Sequence, residues 1–366
     1  MSISDRLHLR ENFLRTAGWA EATRIAFPGD ASTRSYARLI KGDARAILMD
    51  APPGESPPCP PDADAAMRRA MGWNALARLA ASRVDAFFAI AGHCADLGLS
   101  APGLYAADAV HGFAVLEDFG DGVFAREIEA GADEPLLYAA AGEALARLHE
   151  APAPELVVGN GFAWPLLSFD RLALEANADL FVNWVPHYLE RGAPSDAVLA
   201  RWERARDNLI DQAMDLPRAM TLRDYHAENL VWLADRDGPA RVGLLDIQDA
   251  VKGWAGWDFS MLLHDARRDV SPAAAEAALG AYLDRSGRAR QALEAEIALL
   301  GALNALRICG VFARLVARDG KMRYQHFMPR EWAHLRRQLA QPALAEMRAL
   351  VAEIAPHGLA RFKESV

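Results

Sequence analysis

At 366 residues the chain holds material for about two domains of ordinary size, and its 52% hydrophobic content with a mean hydropathy of −0.03 fits a soluble globular protein. A balance of 40 basic against 49 acidic residues gives a formal net charge of −9, which argues against a general nucleic-acid partner with its basic footprint. Cys59, Cys94 and Cys309 show neither metal-ligand spacing nor a disulfide framework, and neither an apolar signal core nor a membrane-length apolar run is apparent, so the cytoplasm is the expected compartment.

In chain order, Asp5 to Ala17 predicts a short amphipathic helix. Strands are then predicted over Ala22 to Phe27, Arg34 to Ile40 and Ala44 to Met49, separated by the turns Pro28 to Thr33 and Lys41-Gly42-Asp43. The small residues of the first turn let backbone N–H groups come close to phosphate oxygens. Taken alone that corner is a plain hairpin; only what lies downstream turns it toward phosphate. Ala51 to Asp62 is proline-rich and reads as a loop or insertion. Helices are predicted over Ala65 to Ala81 and Asp85 to Leu97, and further strands over Ala101 to Ala107 and Phe113 to Glu117. Glu117 to Asp121 breaks the pattern. From Pro135 to Ala355 the chain reads as mostly helical, apart from a hairpin of Leu230–Leu233 with Val242–Leu245 and the residues around it.

The chemistry lies in three stretches. Leu222-Arg223-Asp224-Tyr225-His226-Ala227-Glu228-Asn229 sets Arg-Asp ahead of four residues and Asn, the catalytic-loop spacing of kinases. Asp246 follows at the end of a strand-like run, and Gly256-Trp257-Asp258 follows that. Phosphoryl transfer needs one carboxylate to orient an attacking hydroxyl and take its proton, and oxygen ligands for Mg²⁺ on the nucleotide phosphates. Asp224 suits the first task; Asn229 and Asp246 suit the second. Asp and Asn are common in turns, so the loop pattern alone is weak. The Asp-ending strand gives it weight. The expectation is an α+β chain with a small β-rich lobe, 1–118, and a larger, mostly helical lobe, 119–366, with ATP between them and Glu117 at the hinge.

These residues resemble the aminoglycoside phosphotransferase and choline kinase group, which has the protein-kinase-like two-lobed fold. Gly29 to Tyr36, Met49 to Pro53 and Asp246 to Val251 are similar to one branch of it, the bacterial cell-wall sugar kinases. So are Ser168 to Arg171 through Glu175, with Leu180, Phe181 and Trp184. The tail residues Gly310 to Leu315, Arg318 to Lys321 and Met328-Pro329-Arg330 complete the match. Those kinases phosphorylate the anomeric hydroxyl of N-acetylmuramic acid and N-acetylglucosamine. The similarity spans nearly the whole chain, with Glu55 to Val84 looking like an insertion. It implies that Asp224 is the base and that Asn229 and Asp246 hold Mg²⁺. Gly29, Ser32 and Thr33 would cover the phosphates, Asp258 would brace the catalytic loop, and Glu175 and Arg314 would face the sugar. It also implies a place in the salvage of cell-wall sugars.

The chain departs from the pattern at three points. Leu222 stands where a His often opens the catalytic loop, and Asp246-Ile247-Gln248 replaces Asp-Phe-Gly. The third strand also lacks the lysine that kinases set against the α- and β-phosphates. Arg34 and Arg38 share one face of the second strand, and Arg34 is expected to take the lysine's place. His226 is not the expected base, because Asp224 already occupies that position. Trp184, Trp254 and Trp257 are expected in the core and His149 at a helix end. Two rival readings remain at this point: a kinase of another alcohol, such as an aminoglycoside, choline or homoserine, and an inactive nucleotide-binding protein.

Overall fold

A computed structural model describes residues 3–28, 34–54, 57–79 and 83–356. Helix α1 (Ile3–Thr16) lies on a five-stranded antiparallel sheet of β1 (Thr23–Ala26), β2 (Ser35–Lys41), β3 (Ala44–Asp50), β4 (Leu104–Asp108) and β5 (Phe113–Leu116), in the order β1-β2-β3-β5-β4. The period of two along β3 sorts its side chains. Ala46 and Leu48 pack with Leu14, Leu39 and Val115 on the α1 side, whereas Met49 joins Ala114 and Leu116 in the core on the other. Asp50 closes the strand as an anchor for α1: Arg6 Nε donates to Asp50 Oδ1 at 2.8 Å, and the Arg6 guanidinium lies 4.3 Å from the Phe113 ring centre. Gly112, with φ of 76°, follows from close approach, since a Cβ there would stand 1.9 Å from Ala51 O.

The single helix expected over Ala65 to Ala81 is instead two pieces. Helix α2 (Ala65–Met71) stops at Gly72, whose φ of 90° cannot continue it, and a π-helical turn, Asn74–Arg78, follows. Buried Arg68 holds the break by donating to Ala75 O and Leu76 O, both at 3.0 Å. Its guanidinium also pairs with Asp170, far along the chain. Helix α3 (Val84–Asp96) then runs beneath the sheet, with Phe87, Phe88 and Ile90 in the core.

After α4 (Phe124–Glu129) and α5 (Glu134–His149) comes a hairpin, β6 (Leu156–Gly159) and β7 (Phe162–Pro165), inside the stretch expected to be mostly helical. Its turn is Asn160-Gly161, both at positive φ, which matches the twist of the paired strands. Next come α6 (Arg171–Tyr188) and α7 (Asp196–Met214), then four short strands: β8 (Ala219–Thr221), β9 (Leu230–Trp232), β10 (Val242–Leu244) and β11 (Val251–Gly253). β9 pairs with β10 and β8 with β11, both antiparallel. Helices α8 (Ala255–Leu263), α9 (Pro272–Ser286), α10 (Arg290–Ala317), α11 (Met328–Gln338) and α12 (Ala345–Ile354) follow.

Helix α10 is long and apolar enough to cross a bilayer, yet 78% of that stretch is buried against its neighbours. It is a core helix, packed on α6, α8 and α11 through Leu300, Leu303 and Leu306. Each such leucine contributes roughly 1.5–3 kcal/mol by burial. Gly310 permits the crossing with α6, because a Cβ there would meet Leu180 carbon at 2.3 Å.

Burial also sets the pH dependence of stability. The imidazoles of His149, His264 and His334 are pushed by desolvation down to about 4, 3 and 4. They stay neutral in the fold and take up protons on unfolding, so their contribution is complete above about pH 6.5 and is lost as pH falls. Desolvation lifts the carboxyls of Asp258 and Glu331 up to about 7 and about 8. These keep protons in the fold that the unfolded chain releases, so stability is lost as pH rises through those values. The acid-side loss is reinforced by Glu11, Asp121 and Asp269, whose carboxyls arginine hydrogen bonds hold low. The thermal midpoint is therefore expected to peak near about pH 6.5 and fall on both sides. A flat melting profile between about pH 5 and 9 would contradict this.

Candidate active site

The loop between β8 and β9 is shaped before its chemistry begins. Asp258, fully buried in the first turn of α8, accepts Leu222 N–H and Arg223 N–H, each at 2.8 Å, on its two oxygens. Arg223 sits at φ of 74°, a conformation a non-glycine residue holds only when its surroundings impose it. Gly256 and Trp257 have their own reasons. A Cβ on Gly256 would meet Glu296 Cγ at 2.7 Å, and its N–H donates to Glu296 Oε1 at 2.7 Å. Trp257 is buried edge-on against Phe169, and Trp254 is buried beside it, as expected for core residues, whereas Trp184 is only half-buried at the edge of that core. Leu222 is buried, in keeping with a supporting role.

Beyond this brace, the half-buried Asp224 makes no hydrogen bond or ion pair through its carboxylate among the described residues, which leaves it available to a substrate hydroxyl. Asn229 Nδ2 donates to Asp224 O at 3.0 Å and to His226 Nε2 at 3.3 Å. With its amide nitrogen committed, Asn229 keeps its carbonyl oxygen as an acceptor. Burial pushes His226 down to about 3, so it is a neutral support for Asn229 rather than a base.

Asp246 follows β10 at φ of 54° and ψ of 39°, the left-handed region. Burial raises its carboxyl, opposed by Arg34 and reinforced by Asp224 and Asp249. Arg34 Nη1 donates to Asp246 Oδ1 at 3.0 Å and to Gln248 Oε1 at 2.6 Å. Arg34, Asn229 and Asp246 line a cavity of about 350 Å³ together with Glu117, Asp118, Asp121 and Arg126, whereas Asp224 does not line it. Its apolar wall comes from Ile47, Phe87, Leu116, Val231 and Leu245. That is the size and make-up of a small-ligand site. A carboxylate beside an amide carbonyl is the oxygen donor set a hard cation such as Mg²⁺ takes.

Glu117 lines the same cavity, but its carboxylate is engaged by Arg236 and by Gly103 N–H at 3.2 Å. Arg38 crosses from β2 to the residues after β5, donating to Asp118 at 2.6 Å and Asp121 at 2.9 Å. Arg34 and Arg38 thus share a face, as the strand period predicts, and divide the work between them. Gly29, Ser32 and Thr33 lie outside the described residues. Glu175 and Arg314 do not line the cavity. Glu175 lies on α6 with Arg171 3.8 Å away, and Arg314 on α10 lies 5.4 Å from the ring centre of Trp73 in the insertion. His149 does more than end a helix: its ring nitrogens contact Met220 O at 3.0 Å and Tyr282 Oη at 3.2 Å, tying α5 to β8 and α9. The roles of Gln248 and Glu296 are not marked by any sequence pattern.

The family described as "Phosphotransferase enzyme family" matches residues 23–300. The N-acetylmuramate/N-acetylglucosamine kinase of Caulobacter vibrioides is 51% identical over 348 residues, covering 94% of this chain and 96% of that protein. The kinase of the same name from Pseudomonas aeruginosa is 31% identical over 356 residues, covering 93% and 92%. Among solved structures, a choline/ethanolamine kinase family protein from Mesorhizobium loti is similar with a TM-score of 0.57 at 18% identity, covering 94% of this chain and 99% of that one. An ADP-bound aminoglycoside phosphotransferase gives 0.51 at 12% identity, covering 90% and 97%. At such identities the likeness is one of fold, which is protein-kinase-like.

Proposed function

The chain belongs to the phosphotransferase enzyme family, and on that premise we propose that it transfers the γ-phosphate of ATP to the anomeric hydroxyl of N-acetylmuramic acid, N-acetylglucosamine or both, giving the 1-phosphate. A kinase of this family uses ATP as its donor. The observation that carries the sugar reading is the 51% identity, across nearly the full length of both chains, to a kinase named for these two sugars. The salvage of cell-wall sugars in the cytoplasm, and the division into lobes at 118/119, belong to the same proposal.

In this mechanism the Asp224 carboxylate orients the sugar O1 and takes its proton. A bond forms between O1 and the γ-phosphorus as the bond to the β–γ bridging oxygen breaks, and ADP leaves with the electron pair. Asn229 and Asp246 would hold Mg²⁺, which when bound would neutralise phosphate charge. Arg34 turns its guanidinium to the phosphates in place of the lysine. Gly29, Ser32 and Thr33 cover the phosphates. Glu117, its carboxylate occupied and its N–H donating to Gly103 O at 2.8 Å, would meet the adenine through its backbone carbonyl. Glu175 and Arg314 face the sugar side, supported by the same likeness.

The test is phosphorylation of N-acetylmuramic acid, N-acetylglucosamine, kanamycin, choline and homoserine with ATP and Mg²⁺, the product position read by phosphorus NMR. A sugar 1-phosphate is the expected product. Transfer only to kanamycin, choline or homoserine would keep the kinase and remove the sugar assignment.

A further inference from the structure

Two residues that line the cavity, Arg34 and Asp246, and the buried Gln248 beside them hold one another. Arg34 Nη1 donates to Asp246 Oδ1 at 3.0 Å and to Gln248 Oε1 at 2.6 Å, while Gln248 Nε2 donates to the same Asp246 oxygen at 3.0 Å. Gln248 is 3% exposed, and both ends of its amide are used. Its orientation is fixed by charge: flipped, the NH₂ group would face a guanidinium and the carbonyl a carboxylate. The Tyr36 hydroxyl is a further partner of Arg34. In kinases with a strand-borne lysine, an acidic residue on the helix beneath the sheet braces that cation. Among the described residues the cavity lining contains no lysine, and neither Asp85 nor Asp96, the two acids of α3, lines it.

We propose that Gln248 is the positioning residue that braces Arg34 against Asp246, one neutral amide setting both the cation on the phosphate side and the carboxylate on the metal side. Only a neutral amide fits both partners. A glutamate would accept from Arg34 but place a second negative charge against Asp246. A methionine would fill the volume and make neither bond. The two partners stand 212 residues apart in sequence, so Gln248 also joins the start of β2 to the segment after β10. The inference rests on the kinase reading for its ligand.

The experiment is calorimetric binding of MgADP to the wild-type chain, Gln248→Met, Gln248→Glu, Arg34→Met and the Arg34→Met/Gln248→Met double variant, with a melting curve for each. Gln248→Met is expected to weaken binding by about tenfold, because both charge-assisted hydrogen bonds that hold Arg34 and Asp246 in place are lost. The double variant should lose clearly less than the sum of the two single losses, because Arg34 and Gln248 hold each other and only the bond to Asp246 is left for the second change to remove. Gln248→Glu, which keeps the bond to Arg34 but repels Asp246, should recover only part of the affinity and none of kcat, and it serves as the folded comparison if Gln248→Met melts early. Binding by Gln248→Met equal to wild type, additive losses in the double variant, or full recovery of affinity and kcat in Gln248→Glu would each overturn the proposal. A wild-type chain that binds no MgADP would overturn the kinase reading with it.

Discussion

Replacing Asp224 by asparagine is expected to lower kcat by about 10³-fold while MgATP binding stays within about twofold of wild type. The substitution keeps shape and removes the basic oxygen. Asp224's backbone is set from outside, by the Asp258 brace on the two preceding residues and by Asn229 Nδ2 on its carbonyl, so the loop should hold its form. Its carboxylate makes no bond among the described residues whose loss would disturb the fold. The loss therefore falls on the chemical step. Steady-state kinetics on the accepted sugar, paired with calorimetry of the nucleotide, separates the two quantities. A kcat within tenfold of wild type would remove Asp224 from the mechanism; His226 is a poor substitute, because it is buried, its Nε2 already accepts from Asn229 Nδ2, and burial disfavours its protonated form.

The second large effect is expected at Asp258, which touches no substrate. Asp258→Ala leaves two buried N–H groups without acceptors, each at a cost of about 1–3 kcal/mol. It also frees Arg223 from a left-handed backbone that nothing local favours. A loss of roughly 2–6 kcal/mol is comparable with the whole stability of many domains, about 5–15 kcal/mol. The variant should therefore melt far below wild type, and the folded fraction should have lost most of its turnover. Asp258→Asn, which keeps one acceptor, should fall between. Urea denaturation of the three chains checks the order, and an alanine variant with the wild-type midpoint would show that the brace is dispensable.

Much of this site was legible because its residues are dictated by local rules. The Arg-Asp-x4-Asn spacing, the Asp at a strand end and the alternation along β2 are short-range patterns, and they single out Asp224, Asn229, Asp246 and Arg34, the last three of which line the cavity. The brace by Asp258 came from the resemblance and the geometry agrees with it. What stayed hidden depends on distant parts of the chain. Glu296 meets Gly256 across 40 residues and Gln248 meets Arg34 across 214, and nothing near either residue announces its partner. The break in the helix expected over Ala65 to Ala81 turns on Gly72 and on Arg68 reaching Asp170. The β6–β7 hairpin is different. Asn160-Gly161 between Leu-Val-Val and Phe-Ala-Trp is a strong local turn signal, outweighed by the helical character of the chain around it.

The proposed exchange of lysine for arginine would also change how the cavity meets reagents. None of the lining residues carries a primary amine, and the four lysines of the chain, Lys41, Lys252, Lys321 and Lys363, lie elsewhere in the sequence. A guanidinium keeps its proton at any working pH and is a poor nucleophile. Acylating nucleotide analogues, which tag kinases through the strand-borne amine, would enter this cleft and leave it unmarked. A dicarbonyl that condenses with guanidinium groups is the chemistry matched to Arg34, and bound nucleotide would shield it.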